Sequence, residues 1–339
     1  MHTIDTEKWQ IRTDLIIDSN IYDQYDKEEE HVGNILIERV STIGDMLDEC
    51  KKGRYITISF DDVSDKDNFK NVEEVFIKEF KKLIEKFDID SKDTILIIGL
   101  GNSNSTPDSL GPKVIEHILV TRYLFLLGEV EEGYRKVAAF KPEVTGVTGI
   151  ETKEMVENLV KSVDAKLVIV VDALASSSIN RVNKTIQITD TGIHPGSGVG
   201  NDRKEISCDT LQVPVIAIGV PTIVDAVTIV SDTFQYMLKQ FNFKLNNINN
   251  PKMKLVHSNM QNYLEEKGEL SFENKEKIMG MLGELSEEEF KQLIYEVLSP
   301  IKSNLMVTPK EVDFMVEKLA VLIANGLNKS LHKNFNPTN

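Results

Sequence analysis

Three uninterrupted apolar runs limit what this chain can become: "TILIIGL" at 94–100, "KLVIVVDAL" at 166–174 and "VPVIAIG" at 213–219. A strand with one wet face alternates polar and apolar residues. A strand that is apolar throughout must be covered on both faces, which is the habit of parallel sheets flanked by helices. Helical periodicity lies between the runs. Residues 71–87, "NVEEVFIKEFKKLIEKF", place Val75, Phe76, Phe80, Leu83, Ile84 and Phe87 on one stripe. A helix is expected from Leu110 to Leu127, and Pro221 suits the first turn of another running through "TIVDAVTIVSDTFQYML". Two closing helices are expected at 287–299 and 308–328, and "RYITISF" at 54–60 is a further strand. Residues 1–50 and 245–285 are polar and give no regular pattern. The expected fold is α/β: a three-layer sandwich with a mostly parallel central sheet and helices on both faces.

Composition removes several classes of function. The chain has 39 basic against 54 acidic residues, a net charge of −15, which is the wrong sign for a surface that tracks phosphates. No direct nucleic-acid contact is expected. Cys50 and Cys208 are the only cysteines, too few for a disulfide framework, so a reducing compartment is expected. The leader "MHTIDTEKWQ" lacks an apolar h-region and no run is long enough to cross a bilayer, so the expectation is a cytoplasmic protein without a membrane partner.

In open α/β sheets, ligands gather beyond the carboxyl ends of the strands. One buried run ends in "GLGNSNSTPDSLGP", residues 99–112, and another ends at Asp172. The glycine loop is a weak match to a nucleotide site, which is kept as a third reading: Gly99 and Gly101 fit a dinucleotide fingerprint, but Asn104 holds its third position, and no Gly-Lys-Ser/Thr follows. Asp108 falls at the mouth of the next helix, where the dipole favours an ionised acid; taken alone, it is a first-turn or capping acid. Asp172 follows five apolar residues, a desolvated setting that disfavours charge. If the two strands are parallel neighbours, the acids converge at one sheet edge in different environments. One carboxylate can then activate water while the other protonates a leaving nitrogen. His194, in "DTGIHPGSGVGNDRKEIS", and Asn102 are candidates for the surroundings of that pair. Two carboxylates and His194 would also make a divalent-metal site. Ser197 lacks a nucleophile-elbow context, the cysteines lack a nucleophile setting, and Asp225 is a helix-dipole partner.

Five segments in register, "GLGNSNSTPDSLGP", "VDALASSSINRVN", "TGIHPGSGVGNDRKEIS", "PVIAIGVPTIVDAVTI" and "NLMVTPKEVD" (304–313), resemble the germination proteases of spore-forming bacteria. The likeness runs from about residue 10 to 330. The resemblance implies a phosphorylase/hydrolase-like fold and an atypical aspartic endopeptidase that uses no metal or other cofactor. It also implies a homotetramer, made as a zymogen that removes its own propeptide and acting in the spore core on small acid-soluble spore proteins. The family's catalytic aspartates match Asp108 and Asp172. The core is more distantly similar to hydrogenase maturation endopeptidases, which implies the alternative of a metal-binding endopeptidase using Asp108, Asp172 and His194.

The resemblance gives meaning to "IRTDLIIDSN" at 11–20. The family's substrates are cut after an acid preceded by Thr or Gly, before a large apolar residue, and Thr13, Asp14 and Leu15 reproduce this. Cleavage is expected at Asp14–Leu15, separating a propeptide of residues 1–14 from a single protease domain of 15–339. That domain has a peripheral segment at 15–90 and C-terminal helices at 286–330. Ile16 departs from the family's pattern, which places a small residue there. Residues 11–17 are also expected to add an edge strand.

Overall fold

The computed structural model describes residues 15–18, 25–42, 52–128, 130–196, 204–249, 270–298 and 305–335. The chain divides into two compact units, one formed by Arg12–Val224 with Thr308–Asn339 and a smaller one containing Asp225–Val307.

The larger unit is organised on a sheet. Its strands are β1 (Lys27–Val32), β2 (Ile35–Ser41), β3 (Arg54–Ser59), β4 (Thr94–Gly99), β5 (Lys136–Phe140), β6 (Ala165–Ser176), β7 (Thr185–Thr189) and β8 (Val215–Asp225). They lie in the order β1-β2-β3-β7-β8-β6-β4-β5. β8, β6, β4 and β5 are mutually parallel, as the apolar runs imply. β1, β2, β3, β7 and β8 pair antiparallel. The sheet is therefore mixed, which corrects the expectation of a mostly parallel one. Of the antiparallel strands, β3 was expected from "RYITISF", but β1, β2 and β7 were not, because their patterns are short. "KEEEHV" of β1 has no buried residue, so no apolar run marks it.

The helices of this unit are α1 (Lys66–Ile84), α2 (Leu110–His117), α3 (Arg122–Leu127), α4 (Thr145–Thr148), α5 (Thr152–Val163) and α6 (Cys208–Leu211). Period-two alternation sorts the core into two faces. Ile169 and Val171 of β6, with Ile216 and Ile218 of β8, join Phe76 and Phe80 of α1 and Val114 of α2 in one apolar cluster. The alternate residues, Val168 and Val170, join Val156 and Val160 of α5 in another. Phe76 and Phe80 stack with centroids 5.9 Å apart, and each is fully buried. Burial of one such ring stabilises the fold by about 2 kcal/mol. α1 also holds β2 through charge. Arg39 donates to both carboxylate oxygens of Glu79, at 2.7 and 2.8 Å, and the Glu79 side chain is only 1% exposed.

Two expected helices begin or end elsewhere. The helix from Leu110 stops at His117, and α3 is separate. The break is held from the C-terminal helix: Asn328 accepts from Leu119 N and donates to the His117 carbonyl, replacing helical bonds with its own amide. Pro221 lies within β8, not at a helix start. The following helix, α7 (Ala226–Asn247), begins after Asp225, whose carboxylate caps Val227 N at 2.7 Å. Asp225 is thus an N-cap.

The smaller unit contains α7, α8 (Phe272–Met279), α9 (Glu287–Leu298) and β9 (Met306–Val307). Val227, Phe290 and Ile294 form its core, with Phe234 set edge-on to Phe290 at 4.8 Å. The last helix, α10 (Val312–Leu331), returns to the larger unit and buries Val316, Leu319 and Ile323 against α1 and α2.

Candidate active site

Asp172 lies near the carboxyl end of β6, 6% exposed, and its Oδ1 accepts from Ala173 N at 2.9 Å. Its register partner on β8 is Gly219. Gly219 in turn pairs with Gln187 of β7. Paired residues share a face, so Asp172 and Gln187 project to the same side, with a residue lacking a side chain between them.

Asp108 ends a single 3-10 turn, Thr106–Asp108, just before α2. The glycine loop is built to bring that turn down onto the sheet. Leu100 N donates to Val171 O at 2.8 Å, joining β4 to the residue before Asp172. A Cβ on Gly111 would stand 2.2 Å from Leu100 O and 2.6 Å from Val171 O, so only glycine lets α2 approach this closely. Gly101 has φ +116°, and a side chain there would collide with the Asp108 carbonyl. Asn102 N donates to that same carbonyl at 2.9 Å. Thr222 of β8 holds the turn from the other side, donating to Pro107 O at 2.7 Å. The turn packs against β6, the strand that carries Asp172. Their settings differ as expected: Asp172 is buried, while Asp108 is partly exposed.

The other candidates part company. The Asn102 carboxamide accepts from Asn104 N at 2.9 Å, so its work is closing the loop. His194 is exposed, with Nε2 3.7 Å from a Glu205 carboxylate oxygen across the Ile193–Ile206 bridge. Among the described residues no group of three or more His, Cys, Asp or Glu is placed to hold a metal, so the combination of Asp108, Asp172 and His194 does not assemble. Cys208, at the start of α6, is exposed. Ser197 and Cys50 lie outside the described residues.

Of the expected cleavage junction, Thr13 and Asp14 lie outside the described residues, and Leu15–Asp18 lies within them. Ile16–Asp18 is a 3-10 turn where an edge strand was expected. The turn wins because its groups find partners that a strand would not reach. Ile16 N donates to Gln187 Oε1 at 2.8 Å. Asp18 Oδ2 accepts from Ser177 N at 2.8 Å and from Ser176 Oγ at 3.2 Å, and its carboxylate pairs with Arg181. Leu15 and Ile16 are 2% and 5% exposed, and Ile16 packs with Tyr25, Val40 and Tyr55. The residues just after the junction are thus docked between β7 and the end of β6, beyond Asp172. Sequence reasoning missed Gln187, Ser176, Ser177, Arg181 and Thr222. Two signals existed: a glutamine between two isoleucines in the strand "TIQIT", and three serines directly after a buried run.

The sequence profile of germination proteases matches residues 6–339. The chain is 45% identical to a germination protease of Bacillus cereus (strain B4264) and 44% identical to one of Bacillus subtilis (strain 168), in each case over 99% of this chain and 97% of the relative. Among solved structures, a NiFe hydrogenase maturation protease, HycI, from Thermococcus kodakarensis KOD1 is similar at 18% identity and a TM-score of 0.26, covering 42% of this chain and 80% of that one. The matched range spans the glycine loop, the acid-bearing strand and the closing helix, and the chain belongs to the germination protease family.

Proposed function

We propose that the chain is a self-processing endopeptidase zymogen that begins the degradation of small acid-soluble spore proteins in the spore core during germination. It cuts after an acidic residue that precedes a large apolar one. The observation that carries this is the packing of the Asp108 turn onto β6, the strand that bears buried Asp172. One of the two acids, as the carboxylate, takes a proton from a water that attacks the peptide carbonyl, and the other, protonated, gives its proton to the departing nitrogen. Hydrolysis leaves a carboxylic acid and a free amine, and proton exchange with water restores the pair.

Self-cleavage at Asp14–Leu15 is supported by the docking of Leu15–Asp18 next to the acid-bearing strand. A pair of acids works only in a mixed protonation state, so mild acid is the expected trigger for the cut. A homotetramer and the phosphorylase/hydrolase-like fold are carried by family resemblance.

The test is intact mass against time at mildly acidic pH for the wild type, Asp108→Asn and Asp172→Asn. Loss of residues 1–14 from the wild type alone is the expected result. Processing of both variants at the wild-type rate would reject the acid pair.

A further inference from the structure

Asp18 occupies a place built for a carboxylate. Its side chain is fully buried. Burying a charge is costly unless partners replace its water. The partners here are of three kinds: the Arg181 guanidinium, the Ser176 hydroxyl and the Ser177 backbone N–H. None of them belongs to the leader. They come from the end of β6 and from the 3-10 turn Ile179–Arg181 that follows it. They are also held in place without Asp18. Ser176 Oγ accepts from Ser178 N at 3.0 Å and shares its proton with Ser178 O at 3.1 Å. Arg181 N donates to Ser178 O at 3.2 Å, closing the turn.

Arg181 itself is 29% exposed and lines a cleft of about 420 Å³ together with Asn180, Lys184, Asp61 and Phe60. Gln187 adds a sequence-independent contact, gripping the backbone N–H of the second residue after the junction.

We propose that Arg181, Ser176 and Ser177 form a specificity subsite for an acidic side chain four residues after the scissile bond, in protein substrates as well as in the chain's own junction. This rests on cleavage at Asp14–Leu15, which makes Asp18 the fourth residue after the cut. Arg181 is then a specificity residue remote from the bond broken: it binds the substrate's carboxylate and leaves the chemistry to the acid pair. After self-cleavage the Leu15–Asp18 turn is a product on this subsite, and an incoming acidic peptide displaces it.

The experiment uses the full-length chain after it has processed itself, with intact mass fixing the bond that was cut. Two peptides spanning residues 11–22 are then supplied, one with the native sequence and one with Asp18→Asn. The native peptide is expected to show a KM lower by about 10-fold at similar kcat, the size of a lost charge-assisted contact. In Arg181→Ala the two KM values should become equal. Arg181→Glu should reverse the preference toward a peptide carrying Asp18→Lys, an inversion that misfolding cannot produce. Equal KM values in the wild type, or a preference that survives Arg181→Ala, overturns the subsite. A mass that places the self-cut elsewhere rejects the parent reading, and the subsite with it, before any peptide is added.

Discussion

The parallel half of the sheet, β8-β6-β4-β5, and the antiparallel half, β1-β2-β3-β7, reach stability by different means. The parallel half is dry at its centre. Strands β8, β6 and β4 are buried almost end to end, and α2 approaches so closely that Gly111 stands against backbone. The antiparallel half keeps charge inside: Arg39 and Glu79 lie between β2 and α1, and Arg54 pairs with Asp190 at 2.8 Å. A dry, close-packed half can fix two acids at its strand ends to within narrow limits.

The comparison breaks most sharply at the acids. Asp172→Asn or Asp108→Asn should slow self-cleavage by about 10³-fold or more while the melting temperature changes little. A large fall in melting temperature alongside lost activity would mean that the acids hold the sheet edge together. Gly111→Val comes next. Its branches would meet Leu100 and Val171 backbone, and about 3 kcal/mol or more of stability should be lost in thermal unfolding.

Arg39→Ala tests the other half. It leaves a buried carboxylate without its main partner, and about 2–3 kcal/mol should be lost, with the acid pair itself untouched. Burial raises the pKa of Glu79, but hydrogen bonds from Arg39 and Lys82 outweigh it and hold the carboxyl below its ordinary value of 4.5. The native state therefore binds fewer protons than the unfolded chain near that value. The pair's contribution is complete above pH 4.5 and lost as pH falls through the lowered native value. Chemical denaturation at a series of acidic pH values should show that loss in the wild type and not in Arg39→Ala. Thr222→Val should have the smallest effect. It removes one buried hydrogen bond to Pro107, worth about 1 kcal/mol, and loosens the Asp108 turn, so self-cleavage should slow several-fold with little change in melting temperature. A rate equal to wild type would mean that the glycine loop alone sets that turn.

The same contrast explains what the sequence made legible. Ile95, Ile97, Val168 and Val170 announce buried strands because they lie in short apolar runs rich in β-branched residues. Asp108 and Asp172 could be paired because parallel strands place their carboxyl ends on one edge. The antiparallel half is written in short segments such as "ILIERVS", whose polar residues are satisfied by partners far along the chain. No local pattern connects Arg39 to Glu79 or Ile16 to Gln187. The break after His117 depends in the same way on Asn328, which belongs to the last helix.

The docked turn has a consequence for the order in which the molecule forms. β1 and β2 are neighbours along the chain, but Ile56 of β3 must find Ile188 of β7, and Ile16 must find Gln187, 171 residues away. Contacts of such long range form late, because the intervening loop must be closed before they return any stability. Leu15–Asp18 needs β2, β3, β7 and the end of β6 all in place before its partners exist. Its docking therefore comes after assembly of the sheet, and a chain caught half-folded has nowhere to hold the junction.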